Sequence, residues 1–480
     1  MTSPNIVLIV MDTARSVEVG IGSGPETMPF LDGLANNGIT YAAARANAPW
    51  TLPSHATLFS GELTTDHGTH AGHLTLDSSE TLASRLAAAG YRTTGISNNT
   101  WVSSEFGFDT GFDKFVATWK LFQNGAEFGG VAQTRFGLGD KLRGVAEKWT
   151  GNPLKNLANL MFGRFVRRRR DDGARRTNQL IRKGLSDDDD RPQFLFVNYL
   201  EPHLPYDPPD AYVEAWLPDE ASVSDARDVN QDAWAYITGE VSMNNRDFAL
   251  LRALYRGELA YLDVRLSELY ELFQRQADRE TVFLVVGDHG ENIGDHGLMD
   301  HQYSLAESLL SVPLVIAGGP FSTGACVETP VQLADVYPTL VDIATGDVPS
   351  DGAGTSMVKF QDLDDDRPLF AEYVTPQPAL DTLRGRYEVS RDIEQFDRAL
   401  QAVRQGRFKF VRDSAGEEWL YDLDKAPQGT QDVADNHRDV VASLRGRLDD
   451  RLGAPRVGTR DDAELDARTN ERLEDLGYLR

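Results

Sequence analysis

The sequence predicts an α/β fold: a large, mainly parallel (mixed) sheet sandwiched by helices, with a smaller C-terminal α+β subdomain. Three observations carry this. Short apolar runs alternate with helical patterns as far as about residue 345, the mark of βαβ units. A chain of 480 residues that is 41% hydrophobic can bury both faces of such a sheet. After about residue 365 the pattern changes to the alternation of antiparallel strands.

In chain order, "NIVLIVM" at 5–11 reads as a buried strand. It is short, has no basic region ahead of it and runs into Asp12, so it is not a signal peptide. Helices are expected at 28–37, 54–60 and 79–89, and "TTGISN" at 93–98 is the second strand. Residues 118–190 are Gly-rich, then basic, without a clear strand; they read as a helical insertion and a candidate lid. Strands follow at 194–200, 282–287 and 312–317. Between them, 246–276 carries apolar residues at three and four spacing and is expected to pack on the sheet. A helix is expected at 330–345. "YEVSRD", "GRFKFVRD" and "EWLYDLD" then alternate like antiparallel strands, and "DVVASLRGRLDDRL" reads as a helix. The expected division is a first unit over 1–365 and a second over 366–480.

The net charge is −26, from 74 acidic and 48 basic residues, and acid is spread along the chain. Such a surface repels nucleic acid and anionic membrane. Dispersed acid with scarce Lys suggests a salt-loving (halophilic) organism. No run approaches the ~18 apolar residues of a membrane span, and no export signal is visible, so a cytoplasmic protein is expected. The single cysteine, Cys326, excludes an intrachain disulfide and a Cys-rich metal site and is expected in the core or a loop.

Open parallel sheets bind ligands beyond the carboxyl ends of their strands. Three strands end there in chemically useful side chains. The first ends at Asp12, the 194–200 strand runs into "EPH" with His203, and the 282–287 strand ends in "GDHGE" with Asp288 and His289. Two carboxylates and an imidazole suit one divalent cation. Zn²⁺ or Mn²⁺ is favoured on ligand type, with Ca²⁺ or Mg²⁺ if more oxygens join. Such an ion can deprotonate a hydroxyl near neutral pH.

Thr51, in "NAPWTLPSHATLFSG", offers that hydroxyl and becomes both a candidate nucleophile and a further metal ligand. It has a competing role as a helix N-cap, because Thr is a common cap and Pro follows early. A hydroxyl beside a metal and a helix N-terminus suits attack on a phosphate or sulfate centre. Arg15 is a candidate for holding a non-bridging oxygen of the substrate or for a surface salt bridge. His55 is a candidate substrate contact or an orienting partner of Thr51. Asp295 and His296 are expected to stabilise their loop. His67, His70 and His73 are expected to be solvated loop residues rather than a second metal site.

Several stretches together resemble the sulfatase family of the alkaline phosphatase superfamily. "NIVLIVMDTAR" is similar to its first strand and metal-binding turn, and "TLPSHATLFSG" to its nucleophile motif, Cys or Ser-x-Pro-Ser-Arg before a helix. "NYLEPHLPYDPP" resembles the segment with a substrate-contacting His. "VVGDHGENIGDHG" with "SVPLVIAGG" resembles the second metal-binding segment and its next strand. "VQLADVYPTLVDIA" and "WLYDLDKAPQGTQDVA" resemble the later helix and the C-terminal hairpin. The resemblance implies a metal-dependent hydrolase or transferase of sulfate or phosphate esters, acting on a small molecule, glycan or lipid headgroup.

Four departures bear on the chemistry. Sulfatases oxidise the motif's Cys or Ser to formylglycine; at Thr51 the extra methyl would leave only a ketone, so formylglycine is not expected. The motif's Arg is His55, the family's tandem Asp-Asp is Asp12-Thr13, and a common Lys is His301. Thr51 with Asp12, Asp288, His289, His203 and His301 resembles the superfamily's Thr-dependent phosphotransferases and phosphodiesterases. The resemblance therefore implies Thr51, His203 and His301 as catalytic residues. Sulfate-ester hydrolysis is the runner-up. A catalytically degenerate ester- or glycan-binding protein and a metal-dependent mutase are further alternatives.

Overall fold

The computed structural model describes residues 3–22, 24–119, 171–184, 189–275, 279–349 and 352–458. Of the expected insertion at 118–190, residues 120–170 and 185–188 lie outside the described residues.

The main sheet has eight strands: β1 (Asn5–Met11), β2 (Ile39–Tyr41), β3 (Arg92–Ser97), β4 (Lys114–Ala117), β5 (Gln193–Tyr199), β6 (Thr281–Gly287), β7 (Leu314–Ala317) and β8 (Ala325–Val327). Their spatial order is β8-β2-β7-β6-β1-β5-β3-β4. Every neighbouring pair is parallel except the two that β7 makes, with β6 and with β2. The sheet is thus mainly parallel, as expected. β1, β5 and β6 are apolar runs buried along nearly their whole length, the composition of strands covered on both faces.

Seven helices concern the argument: α1 (Pro29–Asn37), α2 (Thr51–Ser60), α3 (Leu82–Ala88), α4 (Ala174–Gly184), α5 (Asn245–Arg275), α6 (Val336–Thr345) and α7 (Arg438–Leu452). α4 is the described part of the expected insertion. The 31-residue α5 also fixes its neighbour: Asp263 accepts the backbone N–H groups of Phe30 and Leu31 at 2.8 and 2.9 Å, capping α1 from outside. All ten residues of α2 are buried.

A second, four-stranded antiparallel sheet follows in the order β9 (Leu369–Tyr373), β10 (Leu400–Gln405), β11 (Phe408–Asp413), β12 (Glu418–Asp422). Helix α7 covers it, setting Val441, Leu444, Leu448 and Leu452 against Val403, Phe410 and Leu420. Lys409 of β11 reaches Glu307 at 2.8 Å, and Glu307, at the start of the short helix Glu307–Leu310, also meets Arg45 at 3.0 Å, a buried tie between the second sheet and the rest of the chain.

Two expectations are corrected. "YEVSRD" is not a strand: the N–H groups of Ser390 and Arg391 donate to the Thr238 carbonyl, and that of Glu388 to the Glu240 side chain, so no ladder forms. Cys326 is exposed, on β8, and not in the core.

Candidate active site

The strand register builds the site. Met11 pairs with Gly287 on one side and Tyr199 on the other, while Ser97 pairs with Asn198. The residues just beyond these positions therefore emerge together at one edge. They include Asp12, Asp288 and His289 from two adjacent strands, and Asn99 from β3.

One ligand atom from each of Asp12, Asp288 and His289 lies within 4.8 Å of the others, and all three side chains are fully buried. His289 Nε2 stands 3.8 Å from Asp12 Oδ1 and 3.4 Å from Asp288 Oδ2. Its Nδ1 donates to the Gly290 carbonyl at 2.8 Å, which turns Nε2 toward the carboxylates. Asp288 Oδ1 accepts from the backbone of Thr13 and His289, whereas Oδ2 is buried without a hydrogen-bond partner.

Burial pushes Asp12 up to about 6. Burial, with the charge of Asp12, carries Asp288 well above the usual carboxylate range. Burial, with the charge of His301, holds His289 well below the usual imidazole range, hence neutral. Two carboxylates that lack a cationic partner and a neutral imidazole form the donor set a divalent ion takes. The residues present fit the ion.

Thr51 joins this group. Its Oγ1 is 3.2 Å from His289 Nε2 and 3.5 Å from Asp12 Oδ1. The N-cap of α2 is Trp50, with no side-chain cap bond, and Thr51 is the first helical residue. The hydroxyl therefore faces the carboxylates and does not cap the helix. Ser54, one turn on, donates to the Asp288 carbonyl at 2.5 Å and ties α2 to the end of β6.

His55 lies one turn behind Thr51. Its Nδ1 donates to the Thr51 carbonyl at 3.0 Å and is 3.4 Å from Asp288 Oδ2; the ring is fully buried with Phe108 and Phe196 against it edge-on. Burial holds it down at about 4, so it is neutral. This places His55 behind the nucleophile position and not on an open face.

Arg15 is only 3% exposed. It grips Asp295 with both terminal nitrogens, at 2.7 and 3.1 Å, and Asp295 also accepts from the Ile293 N–H. The salt bridge is real but buried rather than on the surface. Asp295 stabilises its loop, as expected.

His203 and His301 stand ring to ring at 5.1 Å, and His301 is 4.5 Å from His289. Burial opposes a charge on His301, but Asp300 at 2.8 Å and Glu291 at 3.5 Å outweigh it and keep the ring well above the usual imidazole range. Burial and His301 pull His203 down to about 3. His70 and His73 close a turn through their backbones, and His73 meets Asp77; with His67 they form no metal-ligand group among the described residues.

Sequence reasoning missed Asn99. It donates to Asp12 Oδ2 at 2.6 Å and lies 3.4 Å from Thr51 Oγ1, so one amide positions both. The strand-end rule that found Asp12 and Asp288 points to Asn99 as well. It also missed Glu291 and Asp300 beside His301.

Comparison with known proteins agrees with this architecture. An arylsulfatase of Clostridium perfringens is 25% identical over 490 residues, covering 96% of this chain and 97% of its own. A choline-sulfatase of Rhizobium meliloti is 24% identical over 465 residues, covering 91% and 84%. Among solved structures, the phosphonate monoester hydrolase of Silicibacter pomeroyi superposes with a TM-score of 0.66 at 19% identity, covering 97% of both chains. The profile of the Sulfatase family matches residues 4–346, and the chain belongs to that family.

Proposed function

We propose that this protein is a metal-dependent hydrolase or transferase of phosphate (di)esters or sulfate esters, working through a covalent intermediate on Thr51. The observation that carries the proposal is the Thr51 hydroxyl, 3.2 Å from His289 and 3.5 Å from Asp12 at the N-terminus of a buried helix. Asp12, Asp288, His289 and Thr51 would hold a divalent cation, which would supply charge that lowers the pKa of a hydroxyl and offsets negative charge on the ester.

The chain's own residues divide the remaining work. Asn99 orients the Asp12 carboxylate and the Thr51 hydroxyl. His55 fixes the first turn of α2 through the Thr51 carbonyl. Thr51 Oγ1, its proton passing to solvent, bonds to phosphorus or sulfur while the bond to the leaving oxygen breaks. The first N–H groups of α2 face the charge gathering on the non-bridging oxygens. His301, carrying a proton, delivers it to the leaving oxygen, with His203 beside it. Water or an acceptor hydroxyl then attacks the same centre and Thr51 leaves with its hydroxyl restored. Arg15, spent on Asp295, shapes the turn after Asp12.

The second reading, sulfate-ester hydrolysis without formylglycine, is favoured by the arylsulfatase and choline-sulfatase relatives. The test is a panel of 4-nitrophenyl phosphate, bis(4-nitrophenyl) phosphate and 4-nitrophenyl sulfate with added Zn²⁺ or Mn²⁺, followed by intact-protein mass spectrometry. A phosphoryl adduct on Thr51 supports the first reading and a sulfuryl adduct the second. No turnover on any ester refutes both and leaves the degenerate binding protein. Among the described residues no helix is long and apolar enough to cross a membrane. A cytoplasmic location, a halophilic source and two units meeting near residue 365 belong to the same proposal, the last two on the strength of the −26 charge and the change of strand pattern.

A further inference from the structure

We propose a second cation site beside the first donor set, formed by Glu291, Asp300 and His301. It deepens the ester-hydrolase reading and rests on that reading only for the use the second ion is put to.

The segment after β6 makes the site. Glu291 lies two residues beyond His289, and the backbone turns back so that Asp300 pairs with Asn292 in a two-stranded ladder. One ligand atom from each of Glu291, Asp300 and His301 then lies within 4.8 Å of the others. Their exposures are 0%, 4% and 0%.

An independent observation comes from Glu291. Its Oε2 accepts from the Tyr206 hydroxyl at 3.3 Å, but Oε1 is buried with no hydrogen bond and points at His301 Nδ1, 3.5 Å away. His301 Nδ1 is closer to Asp300, at 2.8 Å. A protonated imidazole in this place bonds Asp300 closely and leaves Glu291 Oε1 with a long 3.5 Å ion pair and no hydrogen bond. A divalent cation bonded to all three satisfies both carboxylates.

The charge count points the same way. Asp12, Asp288, Glu291 and Asp300 are four buried carboxylates in two adjoining groups. Among the described residues none of them forms an ion pair with Lys or Arg, and Arg15 is held by Asp295. One divalent ion on the first donor set balances two charges and a protonated His301 one more, which leaves one buried carboxylate charge over, and such charges are paired or bind metal. Two carboxylates and an imidazole suit Zn²⁺ or Mn²⁺. The two donor sets adjoin, since the rings of His289 and His301 are 4.5 Å apart. A second ion would meet the leaving oxygen as a Lewis acid where the one-ion scheme uses a proton from His301.

The test counts ions in the full chain. Protein stripped with chelator is saturated with Zn²⁺, and separately with Mn²⁺, exchanged into metal-free buffer and assayed by elemental mass spectrometry. Wild type should hold two equivalents, and Glu291→Gln and Asp300→Asn one each. One equivalent in wild type, or an unchanged count in both variants, overturns the proposal. Anomalous diffraction from wild-type crystals decides the matter without variants: a peak among Glu291, Asp300 and His301 supports the site, and its absence at saturation removes it. Loss of an equivalent in Asp288→Asn, with none lost in Asp300→Asn, leaves the first site standing and the second refuted. Two bound ions without ester turnover keeps this site and refutes the function proposed above.

Discussion

Thr51→Ala separates a nucleophile from a structural hydroxyl because the structure makes the folding cost small. Trp50, not Thr51, occupies the cap position, so no cap bond is lost. The hydroxyl's contacts with His289, Asn99 and Asp12 are long, at 3.2, 3.4 and 3.5 Å, and Asp12 keeps its short bond to Asn99. Their net worth is about 1 kcal/mol. Ala at a helical position returns a few tenths of a kcal/mol over Thr. A chain of this size should then melt within about 3 °C of wild type. Turnover behaves differently. Removing a nucleophile costs on the order of 10⁴–10⁶ in kcat, roughly 5–8 kcal/mol of barrier. The assay is steady-state hydrolysis of the best ester in the panel, paired with a thermal melt and intact mass after a substrate pulse. Thr51→Ser should keep part of the activity and still form an adduct. Turnover of Thr51→Ala within about tenfold of wild type, or an adduct that persists in it, would refute the reasoning.

Other outcomes follow from the same geometry. Asp288→Asn should weaken metal binding by more than about 100-fold, and Asn99→Ala, which removes a partner of Asp12 and Thr51 but no proposed ligand, by about 10–100-fold; calorimetric titration of the stripped protein reads both, and wild-type affinity in Asp288→Asn would make the ligand assignment wrong. Glu307, which burial alone would raise, is held at about 2 by Arg45 and Lys409, against an ordinary 4.5. A depressed carboxylate stabilises above its unfolded value, so this contribution, roughly 3 kcal/mol, is complete above about pH 4.5 and is lost as pH falls toward 2. Urea unfolding should show the advantage of wild type over Glu307→Gln shrinking along that interval, and a constant advantage would count against the tie. With a charge of −26, the melting temperature should climb from low to molar KCl as self-repulsion is screened; a flat or falling curve would remove the expectation of a halophile.

The sheet was legible where burial is two-sided. The segments 5–11, 194–200 and 282–287 are continuous apolar runs, and each is a central strand to within a residue. The short outer strands Ile39–Tyr41, Lys114–Ala117 and Ala325–Val327 have three or four residues, too few for any period to show. "LQAVRQ" at β10 escaped notice because its first four residues are all buried, which erases the alternation of a one-sided strand. In the site, Asp12, Asp288 and His289 could be read because each directly follows an obvious strand. Asn99 also follows a strand that the sequence reveals, "TTGISN", but a neutral amide just past it carries neither the charge nor the ring that marks Asp12, Asp288 and His289. Asp300 needed the ladder that returns it to Asn292, a tertiary fact with no local signature.

The central position of β1 has a consequence for biosynthesis. Asp12 is made long before its partner strand β6: the N–H of Thr13 and the Asp288 carboxylate are 275 positions apart. At about 5–20 residues per second, a ribosome takes some tens of seconds to supply the second half of the donor set. Until then β1 is an apolar strand without one of its two ladder partners, exposed to wrong pairing. Prematurely terminated chains ending before β6 should therefore depend on chaperones and bind no metal tightly, and a pulse-chase of nascent chains should show protease resistance appearing only after β6 has left the exit tunnel.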